Sequence, residues 1–141
     1  MAWRYDPIFL DETYTVDYHL KAFEHIAARL CDATKTCVIS FIDLYQKVRK
    51  NFPEVRSVGK DDRIFLGKEM IEIAAAHGMT VRPCGEGNER APYDADCNGC
   101  MTQQVYETAL HTSLIFPKKQ PLRKECACFL GNDIGAYNTC P

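Results

Sequence analysis

Long apolar runs are missing from this 141-residue chain. No stretch approaches the roughly 18 residues that a membrane-spanning helix needs, which excludes such a helix. The opening segment MAWRYDPIFL has no basic stretch, no long apolar stretch and no small-residue cleavage site. It is therefore not read as a secretory signal, and the cytoplasm is the expected compartment. Net charge is also scarce. Seventeen basic and nineteen acidic side chains leave −2, with the signs interspersed. That balance gives no electrostatic basis for nucleic acid or an anionic membrane as partner. Lys118, Lys119, Arg123 and Lys124 gather locally, but read as solvated loop charges. Histidines are few: His19, His25, His77 and His111 all fall in helical patterns, form no partnered motif, and read as surface or packing residues. There is no internal repeat and no low-complexity tract.

What the chain has is cysteine. Eight are present, more than an average domain of this size carries. In a reducing compartment they are not expected to form disulfides, which leaves metal ligation, redox chemistry or burial. Cys31 and Cys37 lie early, near a helix end and a strand start, and read as inert packing residues. Cys84, Cys97, Cys100, Cys126, Cys128 and Cys140 all fall in the later part of the chain.

With 46% apolar and 26% charged residues, the chain reads as a single globular domain. AWRYDPIF reads as a short strand ending at Asp6–Pro7, since proline suits a strand exit. Thr15 is a helix N-cap, and Val16, Leu20, Phe23, Ala27 and Leu30 follow at helical spacing, predicting a helix over about residues 16–31. TCVISFI (36–42) is β-branched and almost continuously apolar, as in a strand covered on both faces. A helical or irregular piece follows, then a polar loop at 53–60. Asp61 or Asp62 is expected to cap a second long helix reaching about His77, with Ile64, Ile71 and Ala74 inward and Gly78 as its stop. MTVRPC (79–84) reads as a third strand. Beyond it lies a polar loop, a modest helix over about 101–112 with Val105, Tyr106, Ala109 and Leu110 inward, and an irregular tail over 113–141. Helices alternating with apolar strands predict an α/β fold with three parallel strands and crossover helices. So few strands leave edges of unpaired backbone groups, which predicts more sheet upstream of residue 1, or self-association through those edges.

Three cysteine patterns carry the chemistry. CNGC (Cys97, Cys100) places two thiolates on one turn, a common half-site for zinc or iron. CAC (Cys126, Cys128) lets two sulfurs converge. Cys140 stands alone near the end. A redox pair at Cys97–Cys100 is disfavoured because that motif usually opens a helix directly after a strand, and here a polar loop precedes it. Cys84, at a strand end, is placed to meet the later cysteines. Asp6 and Asp43 also end strands, where parallel α/β sheets stage their chemistry; each reads equally as a substrate contact or as a local cap.

WRYDPIFL, YTVDYHLKAFEHIA, CVISFIDLYQK and above all CACFLGNDIGAYNTCP resemble an uncharacterised bacterial family, domain of unknown function eighteen-forty-eight, in order and over nearly the whole chain. In that family the segment like DIGAYNTCP continues into a C-x3-C-x2-C arrangement, similar to the motif of radical S-adenosylmethionine enzymes. There three thiolates hold a [4Fe–4S] cluster whose open iron takes the cofactor. The resemblance implies a βα barrel. Residues 1–112 would be a partial (half) barrel and 113–141 a Cys-rich tail leading into the cluster motif, with the N-terminal half of the barrel and the last two ligands outside this chain. A complete barrel has eight strands and about 250 residues. Cys140 would be the first cluster ligand. Cys84, Cys97 and the Cys126/Cys128 pair would form an additional Fe–S or zinc site, with Cys100 an alternative to Cys84. Asp6 and Asp43 would be candidates to hold cofactor or substrate.

The leading expectation is thus part of a radical S-adenosylmethionine-like iron–sulfur protein acting on an unidentified small molecule, this portion being inactive by itself. The alternative is a non-catalytic protein with a structural zinc or Fe–S site built on Cys97, Cys100, Cys126 and Cys128. A weaker alternative, a nucleic-acid repair enzyme, rests on the similarity of RYDPI to a strand of photoproduct-lyase-like proteins, and the near-neutral charge argues against it.

Overall fold

The computed structural model describes residues 2–116, 128 and 129. Its elements run β1 (Ala2–Ile8), α1 (Val16–Leu30), β2 (Thr36–Phe41), α2 (Gln46–Asn51), α3 (Lys60–Ala76), β3 (Thr80–Pro83) and α4 (Gln103–Leu110), with a short 3-10 turn at Ala91–Tyr93 before α4. The three strands form one parallel sheet in the order β1–β2–β3. The α/β class with parallel strands is therefore as the alternating pattern predicts.

The two long helices cover one face of the sheet. Thr15 caps α1 by accepting a hydrogen bond from the Tyr18 amide, and Phe23 and Ala27 turn inward without exposure. From α3 come Leu66, Met70, Ile71 and Ala74. The strands answer with Cys37, Ile39, Phe41 and Val81, which join Ile8 in the same core. Successive strand side chains point to opposite faces, so the alternate positions Arg4, Asp6, Val38, Ser40 and Arg82 lie on the face opposite α1 and α3. Arg4, Val38 and Arg82 share one row across the sheet. β2 is covered on both faces, as its apolar run predicts: Cys37, Ile39 and Phe41 face the core, and Val38 on the opposite face is also buried.

Several boundaries differ from expectation. β1 runs through Pro7 to Ile8, with a register slip between Tyr5 and Ile8. The slip puts Tyr5 and Ile8 on the helical side and leaves Asp6 on the other. Both strand prolines, Pro7 and Pro83, sit in strands with one neighbour among the described residues, where a missing N–H costs little. Gly59, not Asp61 or Asp62, occupies the N-cap of α3; the two aspartates lie in its first turn, where negative charge suits the helix dipole. Ile71 and Ala74 are inward as expected, whereas Ile64 is half-buried and Leu66 and Met70 take the inner positions. In α4, Val105 and Tyr106 are half-buried, but Ala109 and Leu110 are exposed, because no residue of this helix reaches the core.

Candidate functional site

The sheet face opposite α1 and α3 and the C-terminal strand ends bring together residues far apart in sequence. Arg4 on β1 binds Asp6 through both Nε, at 3.0 Å, and a terminal nitrogen. Ser40 on β2 donates to the same Asp6 oxygen at 3.4 Å. The other arm of Arg4 approaches the Cys100 sulfur at 4.0 Å. The bond to Asp6 is the main reason the Arg4 pKa lies above its ordinary value, against the opposing effect of burial.

Cys100 stands between two other thiols. Its S–H donates to the Cys84 sulfur at 3.8 Å, and its sulfur lies 3.6 Å from that of Cys128. Both separations are far above the roughly 2.05 Å of a disulfide. The backbone supports Cys128: the amides of Cys100 and Met101 donate to its sulfur at 3.1 and 3.3 Å. Gly99 makes this approach feasible. Its φ of 92° is a left-handed conformation, and a Cβ there would lie 3.2 Å from both the nitrogen and the sulfur of Cys128. Cys84 and Cys128 are buried and Cys100 half-buried. The bond to Cys84, followed by burial, pushes the Cys100 thiol well up, so it retains its proton at neutral pH. Among the described residues, no group of three or more His, Cys, Asp and Glu side chains is arranged to hold a metal ion as it stands.

The sequence-derived candidates divide accordingly. Cys84 and Cys100, posed as alternatives, are both in the sulfur contacts, together with Cys128. Cys97 is half-buried, its thiol raised chiefly by burial, and among the described residues it makes no sulfur contact with the others. Cys126 and Cys140 lie outside the described residues. Asp6 belongs to the site. Asp43 is exposed and makes a local bond, accepting from the Tyr45 hydroxyl at 3.5 Å. Cys37 is fully buried in the core, as expected, while Cys31 is half-buried and donates to the Ala28 carbonyl at 3.3 Å. His19 is a packing residue, its ring joined to the Tyr5 hydroxyl at 2.9 Å and the Phe9 carbonyl at 2.8 Å.

Sequence reasoning missed Arg4, Ser40 and the Arg82–Asp96 ion pair of 2.8 Å. The available signal was the alternation of polar residues along the strands. It also missed a buried charge cluster behind β2. Glu86 accepts from the Phe41 amide at 2.9 Å and pairs with Arg63 at 3.2 Å and Arg90 at 3.8 Å. Burial is the leading influence there, raising the Glu86 pKa against the pull of these partners and lowering that of Arg90.

A family model described as Domain of unknown function (DUF1848) matches residues 1–141. The chain belongs to this family. No curated protein and no solved structure matches it. For this DUF1848 chain, then, the site's chemistry has to be argued from its own side chains. No helix among the described residues is long and apolar enough to cross a membrane.

Proposed function

We propose that this DUF1848 domain is a thiolate metal protein, with Cys84, Cys100 and Cys128 holding a single zinc-like ion at the strand ends. The observation that carries the reading is the pair of sulfur separations around Cys100, 3.8 and 3.6 Å. Thiolates about 2.3 Å from one tetrahedral ion stand about 3.8 Å apart. Ligands of a [4Fe–4S] cluster bind different irons and stand further apart, so the spacing favours the single ion. The two backbone amides on Cys128 satisfy a thiolate better than a thiol, and Arg4 adds positive charge beside Cys100. Because no three described side chains are arranged to hold a metal ion as they stand, binding requires the three sulfurs to close on the ion and a fourth donor to join them. Cys126, two residues from Cys128, is the first candidate and Cys97 the second. An ion bound there would cross-link the loop after β3 to the tail; the protein's part is to hold three thiolates in place and exclude water.

Metal analysis of the purified chain tests this. The expected result is stoichiometric, colourless zinc that is lost in Cys100→Ser, together with a lower Tm, and retained in Cys31→Ser. Sub-stoichiometric metal after zinc supplementation, with an unchanged Tm in Cys100→Ser, would overturn it.

A second reading rests on the tail, where CACFLGNDIGAYNTCP resembles the approach to a radical S-adenosylmethionine cluster motif. In that reading Cys140 is a cluster ligand, and Asp6 and Asp43 are candidates to hold cofactor or substrate. Iron and acid-labile sulfide in the reconstituted protein, with cleavage of S-adenosylmethionine, would support it. A brown, cluster-loaded protein that leaves S-adenosylmethionine intact would count against it.

A further inference from the structure

A cavity of about 480 Å³ lies on the face of the sheet opposite α1 and α3, between the strands, the 96–102 loop and α4. Its size falls within the range of about 300–1,000 Å³ common for small-molecule sites. Among the described residues, two charged side chains line it, Arg82 and Asp96, and they pair with each other at 2.8 Å. Their hydrogen-bonding capacities are unequal. Asp96 is engaged on both oxygens: one takes Arg82, and the other accepts from the backbone and side-chain nitrogens of Asn98 at 3.1 and 2.9 Å. Arg82 has five N–H donors, and its single carboxylate partner cannot use them all. Gln104 and Thr36 add further polar groups at the wall, while Val38, Val105 and Ala109 supply an apolar side.

We propose that this cavity binds a small monocarboxylate with an aliphatic body, its carboxylate on the guanidinium of Arg82 and its chain against Val38, Val105 and Ala109. The donor excess calls for an acceptor-rich ligand, and guanidinium–carboxylate pairing is the strong, geometrically specific form of that contact. A cation would have to compete with Arg82 and Asn98 for Asp96, whose two oxygens already take three contacts. Asp96 repels any added anion, and a dianion about twice as strongly as a monocarboxylate, which favours the single charge. The apolar wall distinguishes an aliphatic acid from a hydroxyl-rich one. The proposal does not depend on metal at the neighbouring thiols, although Cys100 lines the cavity as well.

The test uses the full chain with hexanoate, its neutral isostere hexanamide, and hexyl phosphate, followed by ligand-observed NMR and calorimetry. Hexanoate is expected to saturate, with hexanamide and hexyl phosphate at least tenfold weaker. Arg82→Gln should weaken hexanoate at least tenfold, with retained folding checked by circular dichroism. Val105→Phe, which narrows the cavity without touching either charge, should also abolish binding. Asp96→Asn, which removes the competing carboxylate, should tighten hexanoate several-fold. Equal binding of hexanoate and hexanamide, unchanged binding in Val105→Phe, or no saturation up to about 10 mM hexanoate would each overturn the proposal. Since metal content is not among the readouts, failure here would leave the thiolate reading standing.

Discussion

Gly67 and Arg90 compete for the same space. A Cβ on Gly67 would lie 2.2 Å from Arg90 Nε and 2.8 Å from its Cδ. The Arg90 side chain cannot easily yield. It is fully buried, donates to the Arg63 carbonyl at 2.8 Å, and stacks its guanidinium 5.1 Å from the centre of the Phe41 ring. Alanine at 67 would improve helix propensity by about 1 kcal/mol, but overpacking a fixed neighbour costs about 1–3 kcal/mol. Displacing that neighbour would also leave Glu86 with one charge partner fewer. Gly67→Ala is therefore expected to lower the urea midpoint. A midpoint that rises would show that Arg90 can move aside. Nothing in the local sequence around Gly67 announces this constraint, because the residue that imposes it lies on the loop after β3.

At the scale of elements, the helices differ in what holds them. The first turn of α1 is tied by Thr15, whose hydroxyl accepts from Tyr18 N at 3.2 Å, and its inner face is locked by Phe23 between Trp3 and Tyr5. Thr15→Ala should cost about 1 kcal/mol in denaturant unfolding. In α4 the apolar pattern does not translate into burial, and Leu110 remains 59% exposed. Leu110→Lys should therefore shift stability by no more than about 0.5 kcal/mol in the same assay, whereas an inward Leu110 would make that substitution severe. The contrast explains what was legible. Apolar spacing located both helices, because periodicity is a local property. Which apolar stripe reaches a core depends on where the sheet lies, and the short strands near α4 offer it a polar face.

For the whole molecule, burial of ionisable groups in the core sets the alkaline limit. Burial pushes the Tyr5 hydroxyl up to about 12 from 10.0, with help from the nearby Tyr18. Burial likewise raises the Cys37 thiol to about 12 from 9.0, with Asp6 adding to the shift and Arg4 opposing it. Both groups hold their protons more tightly when folded. Their contribution to stability is complete below the unfolded values and is lost as pH rises through about 12, since the unfolded chain ionises first. Thermal melts from pH 8 upward should show Tm falling most steeply above about pH 9–10. Tyr5→Phe should be less stable near neutrality, having lost its bond to His19, yet fall less steeply in alkali. An identical alkaline slope would show that Tyr5 does not ionise on unfolding in that range.

By itself, the sequence determined the kind and order of the elements: parallel strands alternating with helices, an N-cap at Thr15, and a late cluster of cysteines in polar chain. Those are consequences of local spacing, turn residues and composition. Only the tertiary structure decided which cysteines meet and what stands beside them. Cys84 and Cys100 read as alternatives along the chain, yet both contact one another's sulfur once β3 and the CNGC turn fold onto the same rim. Arg4, some ninety residues away from that turn in sequence, joins them only because β1 pairs with β2 in register. Contacts of this range depend on strand order and register, which are set by packing of the whole core and leave no signature in any one stretch of sequence.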